Sequence, residues 1–299
     1  MEYELYHDES KISGYWHGML LVPISKKQLL LDLLERARSN TACQSPLSLK
    51  EIRRSGPKYE CADAWINIGV SAMMSFAREK YPQYIYLGKR SERHKEYSLF
   101  SDPISAKLII FRERDNLQKM SYFSEYGCRV ETTLRIGLKG GIHFLGSNLE
   151  TIHIEKMHFD GNEHYRRNLD RHRIVDRIDG LREYCSFSSR QDLIDDRHSK
   201  HNQLNCQDYQ DCQLIQLTDL LVSSFRSVLT STTNLTHRQL VFPVKQVISR
   251  HLQGYARMQN SRWHNSLWMS QCFLENGKWN FEPMEIERDE KDYQLPLLF

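Results

Sequence analysis

Glu2-Tyr3-Glu4-Leu5-Tyr6-His7-Asp8-Glu9-Ser10-Lys11-Ile12-Ser13-Gly14-Tyr15-Trp16-His17-Gly18-Met19-Leu20-Leu21-Val22 is the stretch on which the fold turns. It divides into two strand candidates, Glu2 to Asp8 and Gly14 to Val22, around the polar turn Glu9 to Ser13. Strands joined by so short a connection pair as an antiparallel hairpin. The acidic pair is thereby split, with Asp8 closing the first strand and Glu9 in the turn. Strand ends are where open α/β sheets place their ligands.

Ser25-Lys26-Lys27-Gln28 has a capping-box pattern and precedes Leu30, Leu33, Leu34 and Ala37, which predicts a helix over 26–38. Pro46 leads into Leu47 to Arg54, cut off by Gly56-Pro57. Further helices are expected over 61–78, 105–119 and 129–145, the last weakened by Gly137, Gly140 and Gly141, with a short strand over 84–87. A strand over 151–160 ends at Asp160, and a helix over 163–172 and a short strand over 181–187 follow. Gln213 to Leu229 reads as a helix with a wide apolar face of Leu214, Leu217, Leu220, Leu221, Phe225 and Val228. Beyond Thr230 come a helix near 239–256 and a hairpin, 267–274 with 278–283, around Asn276-Gly277. This order predicts an α/β domain over 1–230, a mixed sheet flanked by helices, with a C-terminal helix-plus-hairpin extension over 231–299.

Composition narrows the function classes. With 26% charged and 40% hydrophobic residues the chain reads as folded rather than disordered. Its apolar runs fall short of the roughly 20 residues that span a bilayer, so no membrane partner is expected. The opening Glu2 and Glu4 do not read as a leader, and a cytoplasmic location follows as the expectation. The seven cysteines are scattered and lack metal-ligand spacing, which favours free thiols over structural zinc. His153 and His158 are five residues apart on one strand and point to opposite faces, which argues against joint ligation; His158, near Asp160, is the histidine placed to move protons. The net charge of +3 is small, but cations cluster at Lys50, Arg53, Arg54 and Lys58, at Lys89, Arg90, Arg93 and Lys95, and at Arg166, Arg167, Arg171 and Arg173.

Four carboxylates recur where the chain changes element: Asp8, Glu51, Asp160 and Asp219. Hard divalent cations take oxygen ligands, and two such ions about 4 Å apart serve phosphodiester cleavage. Asp219 is the most informative, because Leu217-Thr218-Asp219-Leu220-Leu221-Val222 sets a charge in an apolar helix, and helical spacing aligns Gln216, Asp219, Ser223 and Arg226. Each residue also has an ordinary explanation. Asp8-Glu9 and Asp160-Gly161 suit turns, Glu51 suits a solvated position beside Lys50 and Arg54, and the Gln216 stripe suits a water-facing one.

His7-Asp8-Glu9-Ser10, Lys50-Glu51-Ile52-Arg53, His158-Phe159-Asp160 and Gln216-Leu217-Thr218-Asp219-Leu220-Leu221 together resemble the domain-of-unknown-function-3800 family, a ribonuclease-H-like group. The resemblance covers about residues 3 to 230. Departures are Lys11 where glycine usually follows, Thr218 where alanine is common, and Arg53 in place of a typical lysine. The resemblance implies a ribonuclease-H-like mixed sheet and a Mg²⁺ or Mn²⁺ site of Asp8, Glu51, Asp160 and Asp219, with Asp8 bridging. Glu9, Ser10, Lys50, Arg53, His158 and Gln216 would support the metal or contact substrate. The expected activity is hydrolysis of phosphodiester bonds in RNA or DNA. The alternative is a catalytically silent module that binds nucleic acid or a protein partner, in a defence or toxin system.

Overall fold

Alternation along the opening hairpin builds the centre of the molecule. In the computed structural model, which describes residues 1–74, 83–91, 93–100, 103–114, 126–146, 151–160, 185–187, 194–197, 208–231, 237–251 and 265–286, β1 (Glu2–Ser10) pairs antiparallel with β2 (Tyr15–Pro23). β1 runs two residues past its expected end, so Glu9 lies in the strand, opposite His17, and Asp8 stands opposite Gly18. Tyr6 and its neighbours on one face join one apolar core, while Tyr3 and Leu5 join the other. A central strand buried on both faces is the consequence.

Around this hairpin the sheet runs β10-β9-β5-β2-β1-β6-β7, where β5 is Lys107–Glu113, β6 Ile152–Asp160, β7 Cys185–Phe187, β9 Leu267–Glu275 and β10 Lys278–Pro283. β8 (Ile194–Arg197) pairs with the later half of β6. β2 and β5 are antiparallel, whereas β1 with β6, and β6 with β7 and β8, are parallel. The sheet is therefore mixed. The C-terminal hairpin is continuous with it, because β9 pairs in parallel with β5.

One face carries α1 (Ile24–Thr41), α2 (Pro57–Ala72), α4 (Tyr209–Leu229) and α5 (Phe242–His251) around a core containing Trp65, Leu34 and Phe225. The other carries α3 (Tyr126–Leu145), packed on Phe111, Leu5 and Met157. The glycines that weaken α3 locally have a packing use. A Cβ at Gly137 would stand 2.7 Å from Phe111, and one at Gly141 would stand 2.4 Å from Ile109. Helix and strand approach closely because those side chains are missing.

Several expectations are corrected. Residues 105–119 were expected to be helical, yet 107–113 form β5, buried along its whole length. A strand covered on both faces loses its period of two and reads as an unbroken apolar run, Leu108-Ile109-Ile110-Phe111. Residues 84–87 belong to a longer strand, β3 (Gln83–Ser91), paired with β4 (His94–Phe100) in a separate two-stranded ribbon. Ser25 is not a helix cap, because α1 begins at Ile24 directly after Pro23, without a side-chain cap bond. Leu49–Glu51 forms a single 3₁₀ turn, and α2 starts earlier than expected, at Pro57, where proline's missing N–H costs nothing. The helix over 163–172 and the cations Arg166, Arg167, Arg171 and Arg173 lie outside the described residues. Among the described residues no helix is long and apolar enough to cross a membrane.

On the α3 face two histidines are fully buried side by side. His7 Nε2 lies 3.0 Å from His17 Nδ1, and His17 Nε2 lies 2.7 Å from the Thr133 hydroxyl. Burial pushes His7 down to about 3 and His17 well below its ordinary value, with His7 adding to the shift at His17. Both are neutral in the folded chain, while the unfolded chain protonates them below about 6.5. The stability they permit is full above that pH and is lost as pH falls towards 3. Unfolding free energy is expected to drop by up to about 1.4 kcal/mol per pH unit per histidine over this window. Urea titrations of parent and His7→Gln should give a shallower acid slope in the variant, and equal slopes would refute the assignment.

Candidate active site at the ends of the central strands

Parallel pairing of β1 with β6 sets Tyr6 beside His158 and His7 beside Phe159, and the next residue on each is an aspartate, Asp160 ending β6 and Asp8 standing two residues before the end of β1. α4 runs along β1 in the same direction. Near its start Asp211 Oδ1 accepts a hydrogen bond from the Tyr6 hydroxyl at 3.0 Å, and near its end Arg226 Nη1 donates to Ser10 Oγ at 2.7 Å. Between these anchors lies Asp219. From Cys212 to Thr230 every residue is buried except Asp219, which opens into a pocket of about 470 Å³. Gly18 permits the close approach of the helix, since a Cβ there would stand 2.6 Å from the Cβ of Val222.

Asp8, Asp160 and Asp219 all line this pocket. Burial raises the Asp8 carboxyl well above the usual range, and the charges of Asp219 and Asp160 raise it further, outweighing the 2.7 Å hydrogen bond from the Glu9 amide. Asp219 is raised by burial and by Asp160, although hydrogen bonds from Ser48 and Ser223 and the charge of Lys50 pull the other way. Arg226 is lowered by burial, with Asp219 offsetting part of that. Burial dominates these shifts, and like charge adds to those of Asp8 and Asp219.

Glu9, Ser10, Lys50, Glu51 and Gln216 also line it. Their parts differ. Glu51 sits at the rim, half-exposed, with its carboxylate 2.7 Å from Lys58 Nζ. Glu9 pairs with Lys11 at 2.7 Å and accepts from the Tyr15 hydroxyl. Gln216 holds the wall, because its Oε1 accepts from the Leu47 amide and from Arg38 Nη2, both at 2.9 Å. Arg53 is exposed and does not line the pocket. His158 does not line it either. It stacks on Tyr6 with ring centroids 4.6 Å apart, and its Nε2 lies 3.2 Å from Glu4 Oε2.

All four residues of the helical stripe Gln216, Asp219, Ser223 and Arg226 reach the pocket, together with Ser48 from the 3₁₀ turn's N-terminal flank. Arg38, which sequence reasoning missed, controls the wall. Its fully buried guanidinium lies 4.5 Å from the Trp65 ring and donates from Nε to Gln213 Oε1 at 2.6 Å and from Nη1 to the carbonyls of Cys43 and Ser45 at 3.1 and 2.9 Å. The signal was there: Leu30, Leu34 and Arg38 recur at four-residue spacing on one helix face.

Among the described residues, the group whose ligand atoms all lie within 4.8 Å of one another is Glu4, His158 and Asp211. Lys27 Nζ already stands in it, 2.6 Å from Glu4 and 2.8 Å from Asp211. Burial pushes the Glu4 carboxyl up, but hydrogen bonds from His158, Lys27 and Tyr6 outweigh it and hold Glu4 far below the ordinary range. No family model matches the chain, and neither the curated proteins nor the solved structures contain a match to it.

The raised Asp8 carboxyl has a testable cost. A carboxyl lifted above its unfolded value contributes stability below about pH 4 that is lost as pH rises through the folded value. At neutral pH in EDTA, Asp8→Asn removes the repulsion and keeps an acceptor for the Glu9 amide. Its Tm is expected to exceed the parent's by about 2–4 °C, and the gap should close below about pH 4. A variant less stable than the parent at neutral pH would show that repulsion does not govern the pocket.

Proposed function

We propose that this protein is a divalent-metal-dependent nuclease that hydrolyses phosphodiester bonds in RNA or DNA on a ribonuclease-H-like sheet. The observation that carries the reading is the convergence of Asp8, Asp160 and Asp219, from β1, β6 and α4, on one pocket where burial, and then their repulsion, lifts the Asp8 carboxyl. The mixed sheet, antiparallel through the opening hairpin and parallel through β6, agrees with the resemblance read from the sequence.

The donor set fits Mg²⁺ or Mn²⁺: the carboxylates are hard oxygen ligands, and a dication would offset the repulsion that raises Asp8. When bound, such ions supply Lewis-acid polarisation of the phosphate and acidification of the attacking water. Asp8, whose carboxyl feels the charge of both others, would hold the metal together with Asp160 and Asp219. Glu51 joins them from the rim only by giving up Lys58. Lys50 and Arg226 line the same pocket and place positive charge where a phosphate would lie, and the hydrogen bond to Ser10 fixes the aim of Arg226. Ser223 and Ser48 orient the Asp219 carboxylate.

The test uses labelled RNA and DNA, single- and double-stranded, with Mn²⁺, Mg²⁺ or EDTA. Cleavage is expected only with metal, and Asp8→Asn is expected to reduce it to background. Mn²⁺ should also raise the Tm of the parent but not of Asp219→Asn. Full cleavage by Asp8→Asn would sink the proposal. Metal-linked stabilisation of the parent without cleavage of any substrate would replace it with the silent binding module.

A further inference from the structure

The β3–β4 ribbon takes no part in the pocket, and its two faces differ sharply. Ile85 and Leu87 are buried in the core shared with α1 and α2. In the ribbon's register Tyr84 stands opposite Leu99 and Tyr86 opposite Tyr97 on the other face, where Tyr86 is half-buried against the core with its hydroxyl donating to Glu60. Tyr84 is 68% exposed, Tyr97 50% and Leu99 52%. Tyr86 and Tyr97 rings lie 5.6 Å apart, with Lys95 Nζ 5.8 Å from the Tyr86 centroid. Large rings held this far into solvent by a buried opposite face form a ready surface for stacking.

Charge marks the end of the ribbon. Across 83–100 the cations Lys89, Arg90, Arg93 and Lys95 outnumber the carboxylates Glu92 and Glu96. The tip is tied to the pocket rim through one helical turn. Lys89 Nζ lies 3.0 Å from Glu60 in the first turn of α2, and Lys58 in the same turn pairs with Glu51 at the rim. Exposed Arg53 and Arg54 lie on the segment between rim and helix. Cations therefore recur from the ribbon tip to Lys50 inside the pocket, in excess of the carboxylates Glu96, Glu60 and Glu51 with which Arg90, Lys89 and Lys58 pair.

We propose that the outer face of the β3–β4 ribbon binds single-stranded nucleic acid, with bases stacked on Tyr84 and Tyr97 and the backbone following the cations towards the pocket. The choice of occupant rests on the nuclease reading and on charge complementarity. Exposed rings beside a cationic track suit unpaired bases, whose faces are free, rather than a duplex, whose bases are already stacked.

Binding is measured in EDTA, where it is separate from cleavage, by fluorescence anisotropy of labelled oligothymidylate and oligouridylate of about 12 nucleotides. The full chain is compared with Tyr84→Ser/Tyr97→Ser and with Lys89→Gln/Arg93→Gln. The tyrosine pair is expected to raise Kd about tenfold or more. The charge pair should flatten the dependence of log Kd on log salt by roughly 0.7 for each phosphate that is no longer neutralised. A duplex of the same length should bind more weakly than the single strand. The substituted residues are exposed, and an unchanged Tm shows that the variants fold. An unchanged Kd in the tyrosine variant, equal affinity for duplex, or a parent dimer that the tyrosine variant dissociates would each overturn the proposal. The parent itself separates the two readings, since binding is measured in EDTA and cleavage with Mn²⁺. Ribbon-dependent binding by a parent that never cleaves would remove the nuclease reading and leave this one standing.

Discussion

Three carboxylates held together against their own repulsion are the constraint on which this structure depends. Asp8 and Asp160 are brought together by backbone pairing, because each directly follows the last pair of the parallel register, His7 with Phe159. Asp219 arrives on a helix whose rotation is fixed by everything else on it. Leu214, Leu217, Leu220, Leu221 and Phe225 are fully or almost fully buried, each contributing roughly 1.5–3 kcal/mol. Turning the helix to relieve one carboxylate would expose several of them. The core thus outweighs the electrostatics, and the site stores the difference.

The pocket wall needs a separate support, since residues 42–48 form no helix or strand. Arg38 provides it. A buried cation is costly unless its donors are satisfied, and here two backbone carbonyls and two glutamine side chains accept from it. Those acceptors lie on the wall and on α4, so the guanidinium locks the one to the other. Its planar fork makes this geometry possible where an ammonium would not. Cys43, on the same wall, has its thiol pulled down to about 6, mostly by a hydrogen bond with Cys61 and further by Ser45 and the charge of Arg38. Positive charge at Arg38 therefore reaches along the wall.

What was legible in the sequence follows the range of the forces involved. The opening hairpin was legible because alternation and a short polar turn are local, and Asp219 because a charge in an apolar helix contradicts its surroundings. The Gln216 stripe was legible for the same reason, although its direction, towards a cleft or towards water, was not. β5 was misread because burial on both faces erases the alternation that marks a strand. The place of His158 was invisible, since its partners Glu4 and Asp211 come from other elements, 154 residues upstream in the case of Glu4. Arg38 was overlooked because its acceptors on α4 lie 175 and 178 residues away.

The same three elements build two polar clusters, and their contrast explains why the tighter one is not the metal site proposed. β1, β6 and α4 supply Glu4, His158 and Asp211 to the first and Asp8, Asp160 and Asp219 to the second. Four residues of strand span about 13 Å and eight of helix about 12 Å, so a helix parallel to β1 meets it in step at both levels. At the first level Lys27 from α1 inserts its ammonium, Tyr6 and His158 complete the bonding, and Glu4 is held ionised. That cluster carries its own cation and is closed. At the second level α1 has ended and the wall of residues 46–51 stands in its place, bringing Ser48 and Lys50 but leaving Asp8 pushed towards its neutral form. The two levels differ in their counter-charge: the first holds an ammonium between its carboxylates, and at the second Asp8 faces the charges of Asp160 and Asp219.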